Sequence, residues 1–181
     1  MKIYITGAHS QGKTTLARYI SKKYNIPMIT EAARAILSEK ELQIDNLRHD
    51  LDVVDDYQKS IFERQIIEEG KLESFVSDRS FDFLAYAAQY TRILPDLLNS
   101  DILKKYIESL KNKDCILFFV RPSKATMKED GVREALSWDG VVSIDSQLKF
   151  MMEMWQLRYF QINFDNMQER VRFVDSILSL K

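Results

Sequence analysis

Residues 7–14 read Gly-Ala-His-Ser-Gln-Gly-Lys-Thr, two glycines, a lysine and a hydroxyl at the spacing G-x-x-x-x-G-K-[ST]. The chemistry this spacing serves is the grip on a polyphosphate. Gly7 and Gly12 permit backbone angles and close approaches that a Cβ forbids. Successive N–H groups then converge on a phosphate, and the positive end of the following helix adds to the field. Lys13 is expected to reach the β- and γ-phosphates as a point charge, and the Thr14 hydroxyl to ligate Mg²⁺. Thr15 is placed for the α-phosphate. Ser10 and Gln11 complete the loop that surrounds the phosphates, and His9 is expected to face solvent.

Further charged groups supply what phosphoryl chemistry needs: positioning, charge neutralisation and a group to orient the nucleophile. Asp78 is read as a second holder of Mg²⁺, alongside an N-cap role shared with Ser80 for a helix at Phe81. Arg79 can bridge donor and acceptor phosphates bidentately, or form a surface ion pair. Glu31 is the candidate base for an attacking hydroxyl, or a first-turn glutamate favoured by the helix dipole. Arg34, one helical turn on, can hold the acceptor or pair with Glu31. Lys128-Glu129-Asp130-Gly131-Val132-Arg133 is a candidate lid with Gly131 as hinge. Arg133 would close over the triphosphate; Arg121, Lys124 and Lys128 are alternatives for that task, and a solvated charge run is the plainer reading.

The elements that must carry these groups alternate between strand and helix. Strands are expected at Lys2–Thr6, Met28–Thr30, Phe75–Ser77, Cys115–Val120 and Gln161–Phe164. Helices are expected from Lys13, at Glu31–Lys40, Asp52–Ser74, Phe81–Tyr90, Leu97–Leu110, Asp145–Phe160 and Met167–Leu180. Short apolar strands separated by helices imply a parallel sheet covered on both faces, which binds ligands at the carboxyl ends of its strands. The loop of residues 7–14, Glu31, Asp78-Arg79 and Arg121 each follow a strand, so all converge on one edge. Purine contacts are expected near Asn163–Asn166. The acidic run Asp50, Asp52, Asp55 and Asp56 reads as a solvated helix start. Met151, Met152, Met154 and Trp155 read as core packing.

Composition sets the outer bounds. The chain has 181 residues, 45% hydrophobic, with a formal net charge of −1. That suits one domain over residues 1–181. The charge gives no support to non-specific nucleic-acid or anionic-membrane binding. No apolar run approaches the roughly 20 residues that span a bilayer. A single cysteine, Cys115, excludes an internal disulfide and is expected to be a small buried hydrophobe. The expected location is cytoplasmic.

The segments GAHSQGKTTLA, ITEAAR, SDRSFDFLAY and EDGVR, in that order, resemble the small AAA-like P-loop kinase family. That family includes the ribosylnicotinamide kinase domain of bacterial NAD salvage. The pattern is also similar to deoxynucleoside and thymidylate kinases, which carry an acid after strand two and an acid-arginine pair after strand three, as at Glu31, Asp78 and Arg79. The resemblance implies a three-layer α/β P-loop NTPase fold of the nucleoside monophosphate kinase type. This would have a five-stranded parallel sheet, helices on both faces and a mobile lid over residues 122–140. It implies ATP as donor, Mg²⁺, a nucleoside, nucleotide or nucleoside-like acceptor over a helical region at residues 39–74, and acceptor contacts from Asp82 and Tyr86. Two other outputs stand beside this one. One is a kinase of a modified base or end in DNA, such as the phage 5-hydroxymethyluracil type. The other is an ATPase or switch without an acceptor.

Overall fold

Side-chain alternation along the central strands explains the layering. In β1 (Lys2–Thr6), Tyr4 enters one apolar cluster while Ile3 and Ile5 enter the other. In β4 (Cys115–Val120), Leu117 and Phe119 face the first cluster, and Ile116, Phe118 and Val120 the second. Strands buried on both faces need helices on both faces. A computed structural model of the protein describes residues 1–29, 51–126 and 137–180. Glu31, Arg34, Lys128, Gly131 and Arg133 lie outside these residues, as do the helix expected at Glu31–Lys40, Asp50 and the first part of the acceptor region.

The sheet is five-stranded and wholly parallel, in the order β2-β3-β1-β4-β5. Its remaining strands are β2 (Met28–Ile29), β3 (Phe75–Ser77) and β5 (Phe160–Ile162). Lys2 of β1 stands in register with both Phe75 and Cys115, so β1 has neighbours on either side. One face is covered by α1 (Lys13–Tyr24) and α7 (Met167–Leu178). The other is covered by α2 (Leu51–Gly70), α3 (Asp82–Tyr90), α5 (Asp101–Leu110) and α6 (Trp138–Met154). The expected three-layer α/β fold is therefore present. Among the described residues no helix is long and apolar enough to cross a membrane.

Several boundaries differ from expectation, each for a local reason. The helix expected over Leu97–Leu110 is two helices, α4 (Leu94–Asn99) and α5. Ser100 adopts an extended conformation between them, and its Oγ accepts the Leu103 N–H (3.2 Å), a helix start rather than a helix interior. α6 begins at Trp138, seven residues before the expected Asp145 and inside the segment read as lid, because Ser137 caps it through the Gly140 N–H (3.1 Å). It ends before Gln156, whose φ of 53° is left-handed. Met151 and Met152 are core residues as expected, but Met154 is half exposed. Cys115 is half-buried rather than buried, because it opens β4 where the strand emerges from a turn.

Candidate active site

The phosphate loop leaves β1 at Gly7, whose φ is 146°. A Cβ there would stand 2.5 Å from the Val120 carbonyl oxygen of β4, so only glycine fits. Gly12 closes the loop with φ 80° and opens α1. No side chain of the described residues caps α1, and its first turn holds no acid. Its leading N–H groups and its dipole are thus arranged for an anion. Lys13 turns back along the loop, its Nζ donating to the carbonyls of Gly7 and Ala8, each at 2.7 Å. Ser10 and Thr15 are exposed at the rim.

The two residues expected to share a metal are brought together. Thr14 Oγ1 donates to Asp78 Oδ2, joining the start of α1 to the end of β3. A hydroxyl beside a carboxylate is a hard oxygen donor set, which suits Mg²⁺ completed by phosphate and water. Arg79 follows, half-buried, with its N–H donating to Ser77 Oγ (3.3 Å). Asp78, which contacts Thr14, and Arg79 both follow the end of β3.

Asp82 and Tyr86 lie on one side of α3, as their spacing requires, and both brace the phosphate loop. Asp82 is 4% exposed; its Oδ1 accepts the Gly7 N–H (2.9 Å) and its Oδ2 the Ser80 N–H (2.7 Å). Tyr86 OH accepts the His9 N–H (3.2 Å), and its ring lies 4.4 Å from the His9 ring. His9 is thus half-buried against Tyr86 rather than solvent-facing. Burial pushes the Tyr86 phenol well above its ordinary pKa, the Asp82 carboxylate adding to the shift, so the hydroxyl stays neutral.

Beside the loop lies a cavity of about 460 Å³. Its walls include Arg121, Ser123, Trp138, Asn163, Phe164 and Asp165, so it takes in part of the stretch where purine contacts were expected. Arg121 is engaged within the cavity wall. Its Nε and Nη2 hold Asp145 at 3.1 and 2.8 Å, and its guanidinium lies 5.3 Å from the Phe119 ring centre. Burial raises the Asp145 pKa, with Arg121 pulling it back. These contacts hold Arg121, the alternative lid arginine, at the cavity wall in this structure.

Sequence reasoning placed Gln11 in the phosphate loop without a partner for its side chain, and it passed over Arg170. The Gln11 side chain is buried, its Oε1 accepting the Ser123 N–H (2.8 Å). Arg170, on α7, is buried at the back of the loop, its Nη1 donating to the Gln11 carbonyl. An arginine within a helical pattern carries no periodic signal of burial. The contact that decides its role comes from residues about 160 positions away.

A phosphate-binding loop between β1 and α1, with a carboxylate from the end of β3 facing it, defines the class of P-loop proteins. Within that class the chain belongs to the AAA domain family, whose model matches residues 2–170. No curated protein matches the chain in sequence. Among solved structures it is similar to deoxyadenosine kinase from M. mycoides with dCMP and dCDP bound. That likeness has a TM-score of 0.67 at 16% identity and covers 100% of both chains. It is similar to NadR protein in complex with NAD and AMP-PNP, with a TM-score of 0.69 at 15% identity. There it covers 97% of this chain and 48% of the other. Shikimate kinase from Acinetobacter baumannii, in complex with shikimate, gives 0.56 at 12% identity, over 99% of this chain and 91% of that one. The fold is that of the P-loop kinases, and the resemblance carried by the sequence segments is correct at the level of family and fold.

Proposed function

We propose that the protein is an ATP-dependent phosphotransferase acting on a nucleoside, nucleotide or nucleoside-like small molecule. The observation that carries this reading is the Thr14–Asp78 contact, which brings together two oxygen donors that would hold Mg²⁺ beside the phosphate loop. The triphosphate would lie along the loop N–H groups, with Lys13 leaving its two loop carbonyls to meet phosphate oxygens. Mg²⁺, held by Thr14 and Asp78, would neutralise charge on the phosphates. Arg79 would orient the acceptor side. Glu31 would accept the proton as the acceptor hydroxyl attacks the γ-phosphorus and the bond to the β–γ bridging oxygen breaks, releasing ADP. Arg34 would hold the acceptor and Arg133 would close over the transferred group. The base would enter the cavity against the flat face of Arg121, held there by Asp145 and Phe119.

The molecules bound in the similar structures, the products dCMP and dCDP in one and shikimate in another, favour a small acceptor over DNA. The near-zero net charge agrees. The test is incubation with γ-labelled ATP and Mg²⁺ against nucleosides, nucleotides, ribosylnicotinamide and modified DNA, with Lys13→Ala as the blank. Label on a small acceptor, absent from the blank, supports the proposal. Label only on DNA, or only as free phosphate with every acceptor, rejects it.

A further inference from the structure

Two arms of hydrogen bonds leave the phosphate loop at Gln11 and end on separate stretches of the cavity wall. The first is the Gln11 side chain, whose Oε1 accepts the N–H of Ser123 at 2.8 Å. The second runs through Arg170. Nη1 donates to the Gln11 carbonyl and Nε to the Phe164 carbonyl at 2.6 Å. Ser123 and Phe164 both line the cavity. Gln11 and Arg170 are each 1% exposed. One residue of the loop is thereby tied to the strand end on one side and to the β5–α7 connection on the other.

The chemistry of Arg170 is costly for a purely structural part. Its Nη2 is buried and has no hydrogen-bond partner among the described residues. A buried donor left unmatched opposes folding, and a well-packed apolar side chain of similar volume avoids that cost. The other two nitrogens grip backbone carbonyls of two connections that no strand pairing joins to each other. A planar guanidinium holds two such acceptors at a fixed separation, which an ammonium cannot do.

We propose that Gln11 and Arg170 form a brace that fixes the cavity at one distance from the phosphate loop, so that base and triphosphate bind as one rigid unit. Both are positioning residues, and the inference rests on the reading that the triphosphate occupies the loop and the base the cavity. Two linked binding events reinforce each other only when geometry lets both be satisfied at once. With the brace intact, the base adds its full contribution once the phosphates are seated. With it broken, the cavity drifts relative to the loop and that contribution fades, while the grip on phosphate alone persists.

The test compares equilibrium binding of Mg-ATP and Mg-tripolyphosphate to the unaltered protein, Arg170→Lys and Gln11→Met. Each variant should lose about tenfold in Mg-ATP affinity and stay within about twofold for tripolyphosphate. In turnover assays KM for ATP should rise by about the same factor while kcat changes far less. Equal losses for both ligands would make the pair ordinary scaffolding of the loop and overturn the brace. Unchanged binding of both would overturn it too. If Arg170→Lys does not fold, Gln11→Met decides, since methionine keeps the volume and removes the acceptor. Should the unaltered protein bind tripolyphosphate as tightly as ATP, the base is not in the cavity. The functional reading itself then fails, a result distinct from equal losses in the variants.

Discussion

Asp82 holds its two carboxylate oxygens on two backbone N–H groups, one at the first residue of the phosphate loop and one at Ser80. Replacing it by asparagine keeps the size and removes one acceptor, so an amide N–H must face a backbone N–H. A buried donor without an acceptor costs about 1–3 kcal/mol. Asp82→Asn should lose about that much in chemical denaturation, and Mg-ATP should bind more weakly. An unchanged midpoint would show that Asp82 does not hold the loop. Such a role was hidden in the sequence, where Asp82 and Tyr86 suggest contacts to an acceptor. Gly7, Gly12, Lys13 and Thr14 were legible because the backbone geometry of a phosphate cradle dictates residue types at fixed spacing. The Asp82–Gly7, Tyr86–His9, Gln11–Ser123 and Arg170–Gln11 contacts join groups that are neighbours only after folding, so position in the sequence does not reveal these partners. Asp78 falls between these cases. A charged residue after an apolar strand is visible in sequence, but its direct contact with Thr14 is a product of β3 lying beside β1.

The elements were easiest to read where burial is two-sided. β1, β3 and β4 occur over the expected residues, because an apolar run bounded by polar residues has few alternatives inside a parallel sheet. Helix ends were harder. A periodic apolar pattern runs through Leu97–Leu110, and a serine within it looks like an exposed helical position. The Ser100 side chain instead starts a new helix. Ser100→Ala should cost about 1 kcal/mol, the usual loss of an N-cap. Thermal denaturation checks this; a change near zero would mean that packing of Leu103, Tyr106 and Ile107 alone fixes the break. The early start of α6 has the same origin in Ser137, and it brings Trp138 and Val142 to the cavity wall.

At the scale of the molecule, one buried polar cluster ties together elements that are distant in sequence. Glu69 of α2 is buried beneath Tyr4 of β1 and Tyr106 of α5. Its Oε2 accepts the Tyr4 hydroxyl (2.6 Å), and its Oε1 accepts from Gln65 (2.8 Å) and Tyr106 (3.2 Å). Desolvation raises the Glu69 pKa, and the three donors only partly oppose it. The folded state therefore binds this proton more tightly than the unfolded state does. The stability it contributes is full below the ordinary glutamate range, near about pH 4.3, and is lost as pH rises through the raised folded value. The unaltered protein should thus lose stability relative to Glu69→Gln as pH climbs from about 4 toward neutrality. Denaturation midpoints of the two across that interval check the sign. A gap that widens in favour of the unaltered protein would contradict it.

Because β1 is flanked by β3 on one side and β4 on the other, the phosphate loop springs from a strand already immobilised by two neighbours. Its other end continues directly into α1, anchored on the sheet by Leu16, Ala17 and Ile20. The chain entropy of shaping the cradle is thus surrendered during folding, before any guest arrives. A ligand that binds the loop would meet a backbone already shaped, with the Lys13 side chain left to turn from its two carbonyls.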